Sequence, residues 1–363
     1  MSKRGRFLLA LSIVPQVLIV RILSHYPETV EAYYSCGLYP ILSKIFRFIF
    51  GWMPISFGDI LIGFAIIYII RWGIVSFKYW FKNPISILIK ILSTLSLVYF
   101  MFHLLWGLNY YRLPLHDRLG IDTEYSTEDL KYISEQLISS TNKLHLKITK
   151  DSSAVVDISY DFKTLKNKIS NACNQCSKKY SFLKYNPSSQ KQSLFSLPQA
   201  YMGFSGYLNP FTNEAQVNHY TPNNSMPITL AHEQAHQLGY AAENEANFLA
   251  FFTTEENPDP AIRYAALTFA LRHCLNDLFK QNPDSFNRIK KTINPGILDD
   301  FKARQQQWGQ FKNPLEPYFK SGYNTYLKAN RQREGIKSYS RVVGLIINYL
   351  KNNQSQKKHY NSY

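Results

Sequence analysis

Cysteine is scarce in this chain of 363 residues. Four positions, Cys36, Cys173, Cys176 and Cys274, are too few for a disulfide-built scaffold. Cys173-Asn-Gln-Cys176 has no second C-x-x-C to pair with, so a structural zinc is not expected there. A local disulfide or two thiols on a helix surface is expected instead. Acids are also few, with 25 Asp and Glu against 41 Lys and Arg, for a net charge of +16. The basic excess is scattered among acids and forms no dense stripe. That pattern argues against nucleic-acid binding and for a solvated, membrane-tolerant surface. No internal repeat is visible. No small-x-small cleavage site follows the first apolar run, where the chain reads Leu23-Ser-His-Tyr-Pro27. The basic start Met1–Arg6 and the run behind it are therefore expected as an uncleaved anchor.

A mean hydropathy of −0.23 conceals two unlike parts. Up to Tyr110 the chain holds ten Lys and Arg and three Asp and Glu amid long apolar runs; the rest holds 31 and 22. Three runs, at about 7–23, 55–75 and 85–108, are long enough to cross a hydrocarbon core, which takes about 20 residues. The first is the weakest, since it contains Pro15, Gln16 and Arg21. Between the first two, Tyr39–Phe50 carries Lys44 and Arg47 among apolar residues and fits an interfacial amphipathic helix. Many of the 26 Tyr and 24 Phe flank the runs, where interfacial belts would place them. The loop between the second and third runs holds Arg71, Lys78 and Lys82 without an acid, and the N-terminus is basic too. Both are expected on the cytoplasmic side, which sends everything after Leu108 outside.

From Tyr111 the composition is that of a soluble domain, expected to extend to residue 350 before a polar, disordered tail at 351–363. Ser126-Thr-Glu-Asp129 opens a helix with a capping-box pattern, running to about Leu144. A second helix is expected from Asp161 to about Lys184. Gly203–Val217 reads as short extended pieces joined by a turn at Asn209-Pro210. Further helices are expected from Asp259, as cap before Pro260, to about Gln281, from Gly296 to about Phe311, and from about Ser338 to Leu350.

The stretch Leu230-Ala-His-Glu-Gln-Ala-His-Gln-Leu-Gly239 contains His-Glu-x-x-His. On a helix, a separation of four puts His232 and His236 on one face, one turn apart, where they can pinch one metal ion. Glu233 stands beside them as a base for a metal-activated water. Gly239 suits a chain reversal that ends the helix. A third ligand is still needed. The metzincin spacing falls on Ala242, which cannot bind metal, so two carboxylates remain, Glu243 and Glu245. Glu245 shares its helical stripe with Phe248, Leu249 and Phe252 and faces inward, while Glu243 shares a more polar one. The facing argument selects Glu245.

Asn244-Glu-Ala-Asn-Phe-Leu-Ala250 behind the motif makes the arrangement similar to the gluzincin peptidases, in which a Glu on the following helix is the third zinc ligand. The residues Gly203–Asn218, the motif run and Gly335–Val343, with three apolar runs ahead, resemble a bacterial membrane family known as domain of unknown function 3810. The resemblance implies a zinc hydrolase with His232, His236 and Glu245 as ligands of one Zn²⁺ per chain and Glu233 as base. It also implies a multi-pass protein of the bacterial inner membrane with a periplasmic C-terminal domain.

The fold expected is mainly α, with a three-helix transmembrane region followed by an α+β zincin-like metallopeptidase domain holding a small sheet or hairpin. The activity expected is hydrolysis of peptide bonds in a peptide or protein substrate. The alternatives are a non-catalytic, zinc-stabilised membrane scaffold and a zinc amidase acting on a cell-envelope substrate. Tyr339 and Arg341, or His219 and Tyr220, are candidate oxyanion donors. Gly206, Tyr207, Asn209 and Phe211 are candidates for holding an extended substrate along a strand edge. An intramembrane protease is disfavoured, because Gln234, Gln237, Glu243, Asn244 and Asn247 make the motif region too polar for lipid.

Overall fold

The computed structural model describes residues 2–332, Gly335 and 341–360, with side chains as far as Asn353. The chain is mainly helical with one three-stranded sheet. It forms two compact units. The first comprises Met1–Leu113 and two segments from farther along, Pro187–Leu194 and Leu208–Gln216. The second comprises Pro114–Asn186, Phe195–Tyr207 and Val217–Tyr363. A single boundary near residue 110 omits these two returns.

In the first unit, the helices Lys3–Leu23, Phe57–Trp80 and Pro84–Leu105 are long and apolar enough to cross a membrane. Each owes its length to an apolar run with few charges, and each of the last two has a defined start. Ser56 caps Phe57–Trp80 by accepting from the Asp59 N–H, and Pro84 fills a first-turn position that needs no donor. Gln16, which weakens the first run on hydropathy, has a packing role. Its Nε2 donates to Ser96 Oγ at 2.9 Å, and the Ser12 and Ser96 hydroxyls are 2.9 Å apart. Between helices in lipid, small polar groups that satisfy one another supply the adhesion that hydrophobicity cannot. In the helix Tyr39–Gly51, Lys44 is exposed but Arg47 is turned inward, donating to Ser43 Oγ (3.1 Å) and the Pro187 carbonyl (2.8 Å).

The returning segments are held by buried charge. Glu214 is fully buried and accepts from the Phe57 and Gly58 N–H groups at 3.1 and 2.6 Å, the unsatisfied donors at a helix start. Lys191, buried beside it at 3.5 Å, donates to the carbonyls of Phe50 (2.8 Å), Met53 and Ile55 (3.3 Å). Asp59 accepts from Ser193 Oγ and the Leu194 N–H. The strands are β1 (Gln190–Gln192), β2 (Gly206–Asn209) and β3 (Glu214–Val217), in the order β1-β3-β2. Asn209 Oδ1 accepts from the Phe211 and Thr212 N–H groups, so the expected turn at Asn209-Pro210 is an Asx turn.

In the second unit the helices Thr127–Thr149, Met226–Gln237, Glu243–Thr254, Pro260–Gln281 and Val342–Tyr360 contribute to one apolar core. Ser126 and Asp129 form the capping box, and Asp259 caps the helix that begins at Pro260. Other expectations are corrected. The helix that Asp161 caps stops at Cys176, not near Lys184. Cys173 and Cys176 are not joined by a disulfide, and the Cys173 thiol is buried and donates to the Leu183 carbonyl, so the two are not a surface pair either. The last helix runs from Val342 to Tyr360, into the segment expected as a disordered tail. The helix Glu316–Ala329 has no counterpart among the expected elements.

Removing one partner of a buried ion pair leaves the other uncompensated. Lys191→Met should therefore destabilise the full chain by about 3–5 kcal/mol, read as a lowered thermal transition in detergent. Adding Glu214→Gln should restore part of it. An unchanged transition in Lys191→Met would show that the pair holds nothing together.

Candidate metal centre

The motif lies on the helix Met226–Gln237, which has Pro227 in its first turn. The chain then reverses through Gly239, whose φ of +89° is a conformation L side chains rarely adopt. The Gly239 and Tyr240 N–H groups donate back to the carbonyls of His236 and Ala235. This reversal brings the next helix, Glu243–Thr254, against the first.

As a result three side chains converge. Nε2 of His232 and Nε2 of His236 are 3.0 Å apart, and Glu243 Oε2 lies 3.2 and 3.7 Å from them. All three residues are buried or nearly so, and together they form a group able to hold a metal ion. Ligands about 2.0–2.1 Å from a tetrahedral ion stand about 3.3 Å apart. The observed triangle brackets that spacing. His236 Nδ1 contacts the Tyr240 carbonyl at 2.7 Å, which fixes the ring and turns Nε2 toward the group. The Tyr323 hydroxyl donates to Glu243 Oε1 at 2.7 Å and leaves Oε2 facing the histidines. His232 Nδ1 is buried without a hydrogen-bond partner, so this ring lacks the outer support that its neighbour has.

Of the two candidate carboxylates, the structure brings Glu243, not Glu245, to the histidines. Glu245 accepts from the Leu115 N–H at 2.7 Å, which compensates its burial without a metal. The facing argument fails because this helix has no outside: every residue from Glu245 to Thr254 is buried, and so is Glu243. Glu243 is also the first residue of its helix, immediately after the reversal, where a side chain can reach back to the motif. That position was the available signal in the sequence. Tyr323, far along the chain, had none.

The electrostatics of the group call for positive charge at its centre. Burial would favour a neutral His236, but Glu243, Glu233 and the Tyr240 carbonyl outweigh it and raise the ring to about 9. Burial pushes Glu243 upward, yet His236 and His232 hold it well below the ordinary carboxylate range. The same negative surroundings would stabilise a cation held among the three side chains. In Glu233, burial raises the carboxyl above its ordinary range against the pull of both histidines, and Oε2 has no partner. A buried carboxyl with a free oxygen beside two imidazoles and a carboxylate is suited to taking and returning a proton. The donor set, two imidazoles and one carboxylate, fits zinc and leaves a fourth position open.

The other expected site residues are placed as follows. Tyr339 lies outside the described residues, and Arg341 is exposed. His219 and Tyr220 are exposed, with Tyr220 packed edge-on against Phe311. Asn209 is engaged in its own turn and, with Phe211, belongs to the first unit. Gly206 and Tyr207 lie on β2, an edge strand.

If the group holds metal, Glu243→Ala should abolish zinc retention by the full chain in detergent, measured by elemental analysis. Glu245→Ala should keep the zinc and lose about 1–3 kcal/mol of stability through the orphaned Leu115 N–H. Zinc lost from Glu245→Ala alone would reverse the assignment.

Comparison with known families gives one result: the model described as "Protein of unknown function (DUF3810)" matches residues 34–347. No match is found among curated proteins or among solved structures.

Proposed function

The chain belongs to the DUF3810 family of unknown function, and we propose that it is a membrane-anchored zinc-dependent metallopeptidase of gluzincin type. The observation that carries this reading is the buried triangle of His232, His236 and Glu243 with the unpartnered Glu233 Oε2 beside it. The three would hold one zinc ion, which supplies acidity to a water and polarises a scissile carbonyl. Glu233 accepts the water's proton at Oε2 and delivers it to the leaving amine. His236 is kept in the ligating tautomer by the Tyr240 carbonyl, and Glu243 is kept in its rotamer by Tyr323. The edge strand β2, with Gly206 and Tyr207, is the proposed rest for an extended peptide. The helices of the second unit are consistent with a zincin-like domain.

A structural zinc site normally has four protein ligands and no use for a carboxyl with a free oxygen. Among the described residues the group has three, which favours catalysis over a scaffold. We place the second unit outside the inner membrane of a bacterial cell, on the basic loop between Phe57–Trp80 and Pro84–Leu105. An alkaline phosphatase reporter fused after Asn353 should then be active; an inactive fusion would overturn that orientation.

Glu233→Gln should retain zinc and lower hydrolysis of an unstructured protein substrate by a factor of about 10²–10⁴ or more. The full chain with bound zinc is the reference. Undiminished turnover by the variant would remove Glu233 from the role of base.

A further inference from the structure

The helix Glu316–Ala329 has one edge against the second unit, with Leu327 buried and Tyr323 donating to Glu243. Its other face is apolar and uncovered. Leu315, Tyr318, Phe319 and Tyr326, at intervals of three, four and seven, form a single exposed stripe, with Tyr318 at 76% and Leu315 at 59% exposure. Gly322 lies in the middle of the stripe, with open space where a Cβ would stand. The short helix Ser196–Met202 packs alongside and adds exposed Leu197 and Tyr201. It is fastened there by Asn313 Nδ2 donating to the Tyr201 carbonyl (2.7 Å) and by Tyr201 packed edge-on against Phe311. Six large side chains, four on or just ahead of one helix and two on the helix it touches, stand exposed, more than a water-facing surface ordinarily keeps.

We propose that this face of the second unit is seated on the lipid bilayer. Its chemistry matches the headgroup region: tyrosines and a phenylalanine on the apolar side, and Lys312, Lys320, Lys328 and Arg331 exposed around them, with Glu316 as the acid in the group. The rest of the chain supplies the second argument. It carries three helices long and apolar enough to cross a membrane, so a bilayer is at hand for such a face to meet. Tyr326, at the end of the stripe, stacks on Tyr323 with ring centroids 6.0 Å apart.

The test places a nitroxide on Tyr318→Cys in the full chain, with Cys36 and Cys176 changed to Ser, in vesicles containing anionic lipid. Collision rates with oxygen and with a water-soluble nickel chelate report depth. A label on Tyr132→Cys, exposed on the helix Thr127–Thr149, is the reference. Seating on lipid should give the label at 318 several-fold more oxygen and several-fold less nickel collision than the label at 132. Equal nickel access at the two positions would overturn the proposal. Dipolar broadening between labels at 318 would overturn it as well, since a second copy would then cover the face. Because neither readout involves zinc or hydrolysis, the proposal stands or falls separately from the metallopeptidase reading.

Discussion

A carboxylate taken out of water must be given something in exchange, and this chain buries carboxylates where segments distant in sequence come together. Asp59 and Glu214 take hydroxyl, amide and lysine donors and fix the returning segments. Glu245 takes the Leu115 amide, and Asp300 takes the hydroxyl of Tyr264 and the amide of Asn224. Each exchange is complete enough to explain the burial. Glu233 and Glu243 differ. Among the described residues they hold the buried carboxylate oxygens left without a hydrogen bond, and they lie beside two imidazoles. Incomplete compensation at one place, within a protein that compensates elsewhere, is the physical basis for assigning chemistry there.

Much of this was legible in the residues. Apolar runs with few charges foretold three membrane-length helices, and caps such as Ser126 and Asp259 located helix starts to the residue. The four-residue spacing of His232 and His236 foretold their pairing. What failed were inferences that needed a direction in space. The choice of Glu245 assumed a helix with a dry face and a wet face, and Glu243–Thr254 is buried almost all round. The reading of Cys173 as one of a surface pair failed for the same reason, since the Leu183 carbonyl, beyond the end of its helix, receives the thiol. Tyr323 could not be found at all, because eighty residues of chain separate it from the carboxylate it orients.

On the proposed readings, the metal group and the exposed helix would put the protein's work close to the lipid surface. A soluble peptidase exposes a groove to bulk water and takes what diffuses in. Here the helix whose Tyr323 orients Glu243 also carries the aromatic stripe. The two proposals taken together would favour polypeptides presented at the headgroup level over those free in solution.

The returning segments have a consequence for how the protein is made. Translation completes Phe57–Trp80 and Pro84–Leu105 long before Lys191 or Glu214 exists. During the interval, the amides of Phe57 and Gly58 lack the Glu214 carboxylate, and the carbonyls of Phe50, Met53 and Ile55 lack the Lys191 ammonium. The first unit can close only after residue 216 has left the ribosome, by which time the opening helices of the second have also emerged. The two units are thus interleaved in time as well as in sequence, and a release of the chain near residue 180 would leave the membrane helices inserted but unfinished.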